Sequence, residues 1–363
     1  MFRAEVIGSM LRPSYLKDGR AAFEQGTLSI PELKRLEDRA VDEVIALQEG
    51  AGVDVVTDGE MRRFLFTGPI TERVEGITPV ERDVGMPWTT PEGDIEWSLP
   101  VAVTSKLRRL GSMVSEEYSY ARALAQRPLK VTVPSPLMLF GMWSPRHAEG
   151  VYADAFEMFA DAAEVGRAEI LELVSLGCEH IQVDAPELAT LVDPRVRDWA
   201  ESLGFGADRM LSEGIDLVNG MVQGITGARL GIHLCRGNNA GMWMASGGYD
   251  YIAKALFERA TAFDAFFLEY DDARSGSFEP LSDAPDDKQI VLGLVSTKTA
   301  ELERAEDLRA RIDDAARYFP REQLGLSTQC GFASVVDGNA ISEYDEERKL
   351  RLVAETAHAV WGS

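Results

Sequence analysis

The chain has 363 residues, 45% of them apolar, and a net charge of −23. That length suits one large α/β barrel or two ordinary domains, with enough apolar residues for a substantial core. The acidic balance argues against nucleic acid and anionic membrane surfaces as partners. No run nears the roughly 18 apolar residues that span a bilayer, and three Cys offer no disulfide framework. A reduced, cytoplasmic protein is expected.

In chain order, short apolar or β-branched runs predict strands at 4–8, 53–57, 130–133, 180–183, 229–234, 265–269, 290–295 and 324–328. Amphipathic stretches at 30–50, 152–176, 212–223, 249–262, 299–318 and 342–361 predict the intervening helices. The alternation predicts a single (β/α)8 TIM-type barrel over residues 1–363. Residues 67–129, rich in Pro, Gly and alternating positions around Asp94 to Leu99, predict an inserted hairpin, followed by a helix at 115–126. No G-x-G-x-x-G follows a strand, which weakens a doubly wound alternative.

In such a barrel all strand C-termini open onto one mouth. Gly8, Ser9, Glu60, Asp184, His233, Cys235, Glu269, Lys298 and Cys330 all lie at or just past predicted strand ends. His233 and Cys235 are two apart, so a regular strand points both to one face. Glu269 ends an apolar run, where an isolated carboxylate is costly unless hydrated, paired or metal-bound. One imidazole, two thiols and one carboxylate are a donor set for tetrahedral zinc. His233, Cys235, Glu269 and Cys330 are therefore the predicted Zn2+ ligands. Cys178 precedes the fourth strand, at the opposite end of the barrel, and reads as a packing residue. His147 and His180 read as loop or strand-entry residues, and His358 falls on the last helix.

The set Gly8-Ser9, Asp58-Gly59-Glu60, Gln182-Val183-Asp184-x-Pro-Glu, His233-x-Cys235, Glu269 and Cys330-Gly331 resembles the catalytic C-terminal barrel of the cobalamin-independent methionine synthases. The likeness runs in order over the whole chain. It implies a zinc enzyme that alkylates a thiol, transferring methyl to homocysteine from a methyltetrahydrofolate-type donor. It also implies that Gly8, Ser9, Glu60 and Asp184 bind the amino-acid moiety of the thiol substrate. Two carboxylates suit its ammonium, and the Gly8-Ser9 amides suit its carboxylate.

Two positions depart from the family pattern. Lys298 stands where the family has a histidine proposed as proton donor, making Lys298 the candidate catalytic residue. Trp143 lies one residue past the pterin-stacking position. The thiol half of the reaction is thus implied more firmly than the alkyl donor. A second resemblance, to epoxyalkane:coenzyme M transferases, would put a sulfonate-bearing thiol against Arg12, Arg62, Arg63 or Lys298. A non-catalytic zinc barrel is the third reading. The expected partners are a small thiol and an alkyl donor, with a homo-oligomer left open.

Overall fold

The computed structural model describes residues 1–81 and 85–362. Residues 82–84, inside the expected insertion, and Ser363 lie outside the described residues. The strands are β1 (Ala4–Glu5), β2 (Val74–Pro79), β3 (Met86–Thr90), β4 (Gly93–Trp97) and β5 (Val101–Arg109). They continue as β6 (Lys130–Pro134), β7 (His180–Asp184), β8 (Arg229–Leu234), β9 (Ala265–Glu269), β10 (Gln289–Val295) and β11 (Leu324–Thr328).

Seven of them form one parallel sheet in the order β1-β11-β10-β9-β8-β7-β6. Its two edges are joined through the run expected as the second strand. Val55 bridges Glu5 and Val56 bridges Leu129, both parallel, so the sheet curls into a TIM-type barrel. This stave is not a full strand because side chains serve its backbone and that of β1. The Asp54 carboxylate accepts the Arg3 and Ala4 amides at 2.7 and 3.1 Å. Gln48 accepts the Thr57 amide and donates to the Thr57 carbonyl.

Most expected helices form around the sheet. Ile30–Ala51 starts at a Ser29/Glu32 capping box and stops at Gly52, whose φ of 93° is left-handed. Ala155–Ser175 is capped by Asp154, and Glu343–Trp361 by a Ser342/Asp345 box. The stretch at 299–318 is helical only over Ala305–Ala315. There the Glu303 carboxylate accepts from the Ser296 amide and from Lys349, tying the preceding segment to the core instead. The stretch at 249–262 yields a short 3-10 turn and the helix Ala253–Arg259.

Between the second stave and β6, β2 pairs antiparallel with β5 and β3 with β4. The β3–β4 hairpin reaches over the barrel mouth. Thr89 and Trp243 exchange backbone hydrogen bonds of 2.7 and 3.2 Å there, and Arg195 pairs with Asp94 at 2.8 Å.

The lower barrel is closed by packing and charge. Glu5 pairs with Arg229 at 2.8 Å and Lys130 at 3.4 Å, with the Phe267 ring 4.2 Å from the Lys130 ammonium. Gly231 makes room for that ring, since a Cβ there would stand 2.7 Å from Phe267. The chemistry is therefore confined to the upper end.

Candidate active site

A cleft with about 1000 Å3 of empty space, part of it open to solvent, occupies the mouth. His233, Cys235 and Cys330 lie in it, all buried. Their ligand atoms all fall within 4.8 Å of one another. β8 supplies His233, Cys235 directly follows it, and Cys330 comes two residues after β11. The two sulfurs share a hydrogen bond at 3.7 Å, which holds Cys330 well below the usual thiol range and pushes Cys235 well above it. Both ring nitrogens of His233 are buried without a hydrogen-bond partner. Orphaned buried nitrogens beside a low-pKa thiol are the state expected of ligand atoms, so these residues fit a zinc ion.

Glu269 ends β9, fully buried, but stands outside that three-residue group. Its carboxylate accepts from the Arg236 amide at 2.7 Å and from Lys298 at 2.9 Å. Burial opposes its charge, yet Lys298 and Arg236 hold it below the usual carboxylate range. Lys298 also pairs with Asp271 at 3.2 Å and does not line the cleft. The expected proton donor is thus committed to two buried carboxylates.

The structure brings together the four residues expected to bind the amino-acid moiety. Gly8, Ser9, Glu60 and Asp184 all line the cleft. Glu60 adopts φ 55°, a left-handed conformation unusual outside glycine. It is pinned there by Arg12, whose guanidinium donates to the Glu60 carbonyl at 2.8 Å, and by its own amide bonding to Asp58. One Glu60 oxygen accepts from Thr132 at 2.7 Å, and the other is buried and unpartnered. Asp184 accepts from Gln182 at 2.7 Å, and burial pushes its carboxyl up to about 7. Gly331 touches Ser9 so closely that a Cβ would lie 2.0 Å from its hydroxyl.

The cations named for a sulfonate are elsewhere. Arg12 donates to four backbone carbonyls. Arg62 pairs with Asp38 and Glu37, and Arg63 with Glu117 and Glu60. Among the described residues no Lys or Arg lines the cleft.

The remaining histidines and Cys178 lie apart. Cys178 is buried, donates to the His180 carbonyl, and is pushed up to about 12 by burial. His180 packs edge-on to Phe2, and His358 contacts Asp54. Trp143 is buried, its indole donating to the Leu203 carbonyl at 3.1 Å. The sequence reading missed the wall of Trp88, Trp97, Phe140 and several Met, and gave no role to Glu187 or Asn238. The alternation at Asp94 to Leu99 was the available signal for Trp97; Asn238 had none.

A parallel barrel with a His–Cys–Cys cluster able to hold a metal ion, and carboxylates beside it at the mouth, defines a class of barrel enzymes. Residues 2–350 match the family described as cobalamin-independent synthase, catalytic domain. The chain belongs to that family. It is 34% identical to the uncharacterized protein YxjH of Bacillus subtilis, over 99% of this chain and 95% of that protein. It is 27% identical to a methionine synthase of Saccharolobus solfataricus, over 95% of this chain and 96% of the other. The structure of a putative vitamin-B12 independent methionine synthase from Listeria monocytogenes superposes with a TM-score of 0.75 at 27% identity, covering 100% of this chain and 98% of that one. No helix among the described residues is long and apolar enough to cross a membrane.

Proposed function

We propose that the protein transfers a methyl group to the thiol of homocysteine, giving methionine, in a zinc-dependent reaction. The observation that carries this reading is the His233–Cys235–Cys330 cluster in a cleft that also holds the Glu60, Asp184 and Glu187 carboxyls and no lining cation. In this reading the three residues hold zinc and Glu269 is its fourth ligand, with Lys298 fixing the Glu269 carboxylate. When bound, zinc lowers the pKa of a coordinated thiol and makes the sulfur nucleophilic at neutral pH.

The chain's own residues orient the substrate. Glu60, with one unpartnered oxygen, and Asp184 take the ammonium, while the Gly8-Ser9 segment faces the carboxylate. Trp88, Phe140 and Met138 exclude water around the carbon that is transferred. The methyl donor in this reading is of the methyltetrahydrofolate type. The internal engagement of Arg12, Arg62, Arg63 and Lys298 disfavours a sulfonate thiol.

The test is metal analysis of purified protein followed by thiol methylation assays. Near one zinc per chain and methionine formed from homocysteine are expected. Cys330→Ser should lose both. Metal far below one per chain, or full activity in Cys330→Ser, would sink the zinc reading.

A further inference from the structure

The reading above leaves the donor half of the reaction without an acid, because Lys298 is bound to Glu269 and Asp271. We infer that Glu187 is the general acid that protonates the leaving nitrogen of the methyltetrahydrofolate-type donor proposed above. This inference rests on the proposed thiol methylation.

The geometry singles out Glu187. β7 ends at Asp184, and Pro186 opens the short helix Pro186–Thr190, which places Glu187, a residue only 1% exposed, at the cleft. One carboxyl oxygen accepts from the Ser135 hydroxyl; the other is buried with no partner. Ser135 is itself fixed, because its amide bonds to the Asp184 carbonyl at 2.9 Å and its hydroxyl caps the 3-10 turn Pro136–Met142. A carboxyl held by one oxygen, with the other unpartnered in a residue lining the cleft, is suited to be protonated and to donate. Burial pushes it up to about 8 against the Ser135 hydrogen bond, so it keeps its proton at neutral pH.

The step balances as follows. A sulfur–methyl bond forms as the methyl–nitrogen bond breaks. The electron pair of that bond stays on nitrogen, which takes the Glu187 proton. The carboxylate left behind is reprotonated from the proton that the incoming thiol released.

The test compares wild type with Glu187→Gln, both zinc-loaded, using homocysteine and two donors. 5-Methyltetrahydrofolate, as its triglutamate, leaves as an amine; trimethylsulfonium leaves as neutral dimethyl sulfide and needs no proton. The variant should lose about a hundredfold or more in kcat with the folate and less than about threefold with the sulfonium. The wild-type folate rate should fall above about pH 8, a limb that Glu187→Asp retains and Glu187→Gln lacks. Equal losses on both donors, or an unchanged folate rate, would overturn the assignment. A wild type active with the sulfonium alone overturns the amine donor while leaving thiol methylation standing; one inactive with both removes both readings. Should Glu187→Gln not fold, the pH limb in wild type and Glu187→Asp decides, its absence counting against the acid.

Discussion

Asp184 and His233 are register partners on the adjacent parallel strands β7 and β8, and the amide following Asp184 bonds to the His233 carbonyl at 2.8 Å. The backbone ladder thus places a candidate ammonium acceptor beside a candidate metal ligand, in a fixed relation that no loop movement alters. In the proposed reaction this register would couple binding of the amino acid to activation of its sulfur.

Asp184→Asn should therefore raise KM for homocysteine by tenfold or more, the order of one charge-assisted hydrogen bond. For 3-mercaptopropionate, which lacks the ammonium, KM should change less than about threefold. Steady-state kinetics with both thiols checks this, and equal effects on the two would refute an ammonium role.

Lys298→Met should act on stability before chemistry. It would strand the buried carboxylates of Glu269 and Asp271, which lie 2.9 and 3.2 Å from the ammonium. Removing one partner of a buried ion pair costs about 3–5 kcal/mol. A fall in denaturation midpoint together with weaker zinc retention is expected. An unchanged midpoint would mean that the lysine is not the counter-ion of this cluster.

The legibility of this chain divides by how local the cause is. β8, β9 and β11 are short, mostly apolar runs whose pattern alone marks them, and their ends carry His233, Glu269 and the approach to Cys330. The stave at Val55 and Val56 was legible as a strand, but its brevity was not: backbone bonds tie it to Ala4, Pro128 and Lys130, while the Asp54 and Gln48 side chains take the backbone groups beyond. Lys298 was read from its position after a strand, yet its direction was decided by Asp271, two residues beyond Glu269, whose importance no spacing announces. Glu187 lay in plain view after Asp184-x-Pro, but its burial depends on Ser135 from another strand end.

Gly8→Ala tests how tightly the Glu60 carboxylate is placed. The new Cβ would stand 2.7 Å from the Glu60 oxygen that Thr132 holds, and 3.0 Å from the Thr132 methyl. Glu60 cannot easily yield, because its backbone is already in the left-handed region and pinned by Arg12. Homocysteine binding should weaken about tenfold or more, on the scale of a displaced charge-assisted contact, with zinc content unchanged. Calorimetric titration of homocysteine into both proteins reads the difference, and equal affinities would show that the carboxylate has room to move.

Glu346 gives a pH dependence that is independent of the metal centre. It lies on the helix Glu343–Trp361, and its carboxyl accepts the Leu11 amide at 2.8 Å, steadying the turn that follows Ser9. Burial pushes it up to about 8, although the Leu11 hydrogen bond works in the opposite direction. The folded state then keeps a proton that the unfolded chain has released, so stability from this group falls as pH rises from the ordinary carboxyl range through about 8. Glu346→Gln keeps an acceptor for Leu11 and has no proton to lose. At pH 9 the variant should be more stable than wild type by about 1 kcal/mol or more, roughly 2 °C in Tm. At pH 5, where both side chains are neutral in the folded state, that advantage should vanish. Thermal melts across this range decide the matter, and a difference independent of pH would show that Glu346 is ionised in the folded protein throughout.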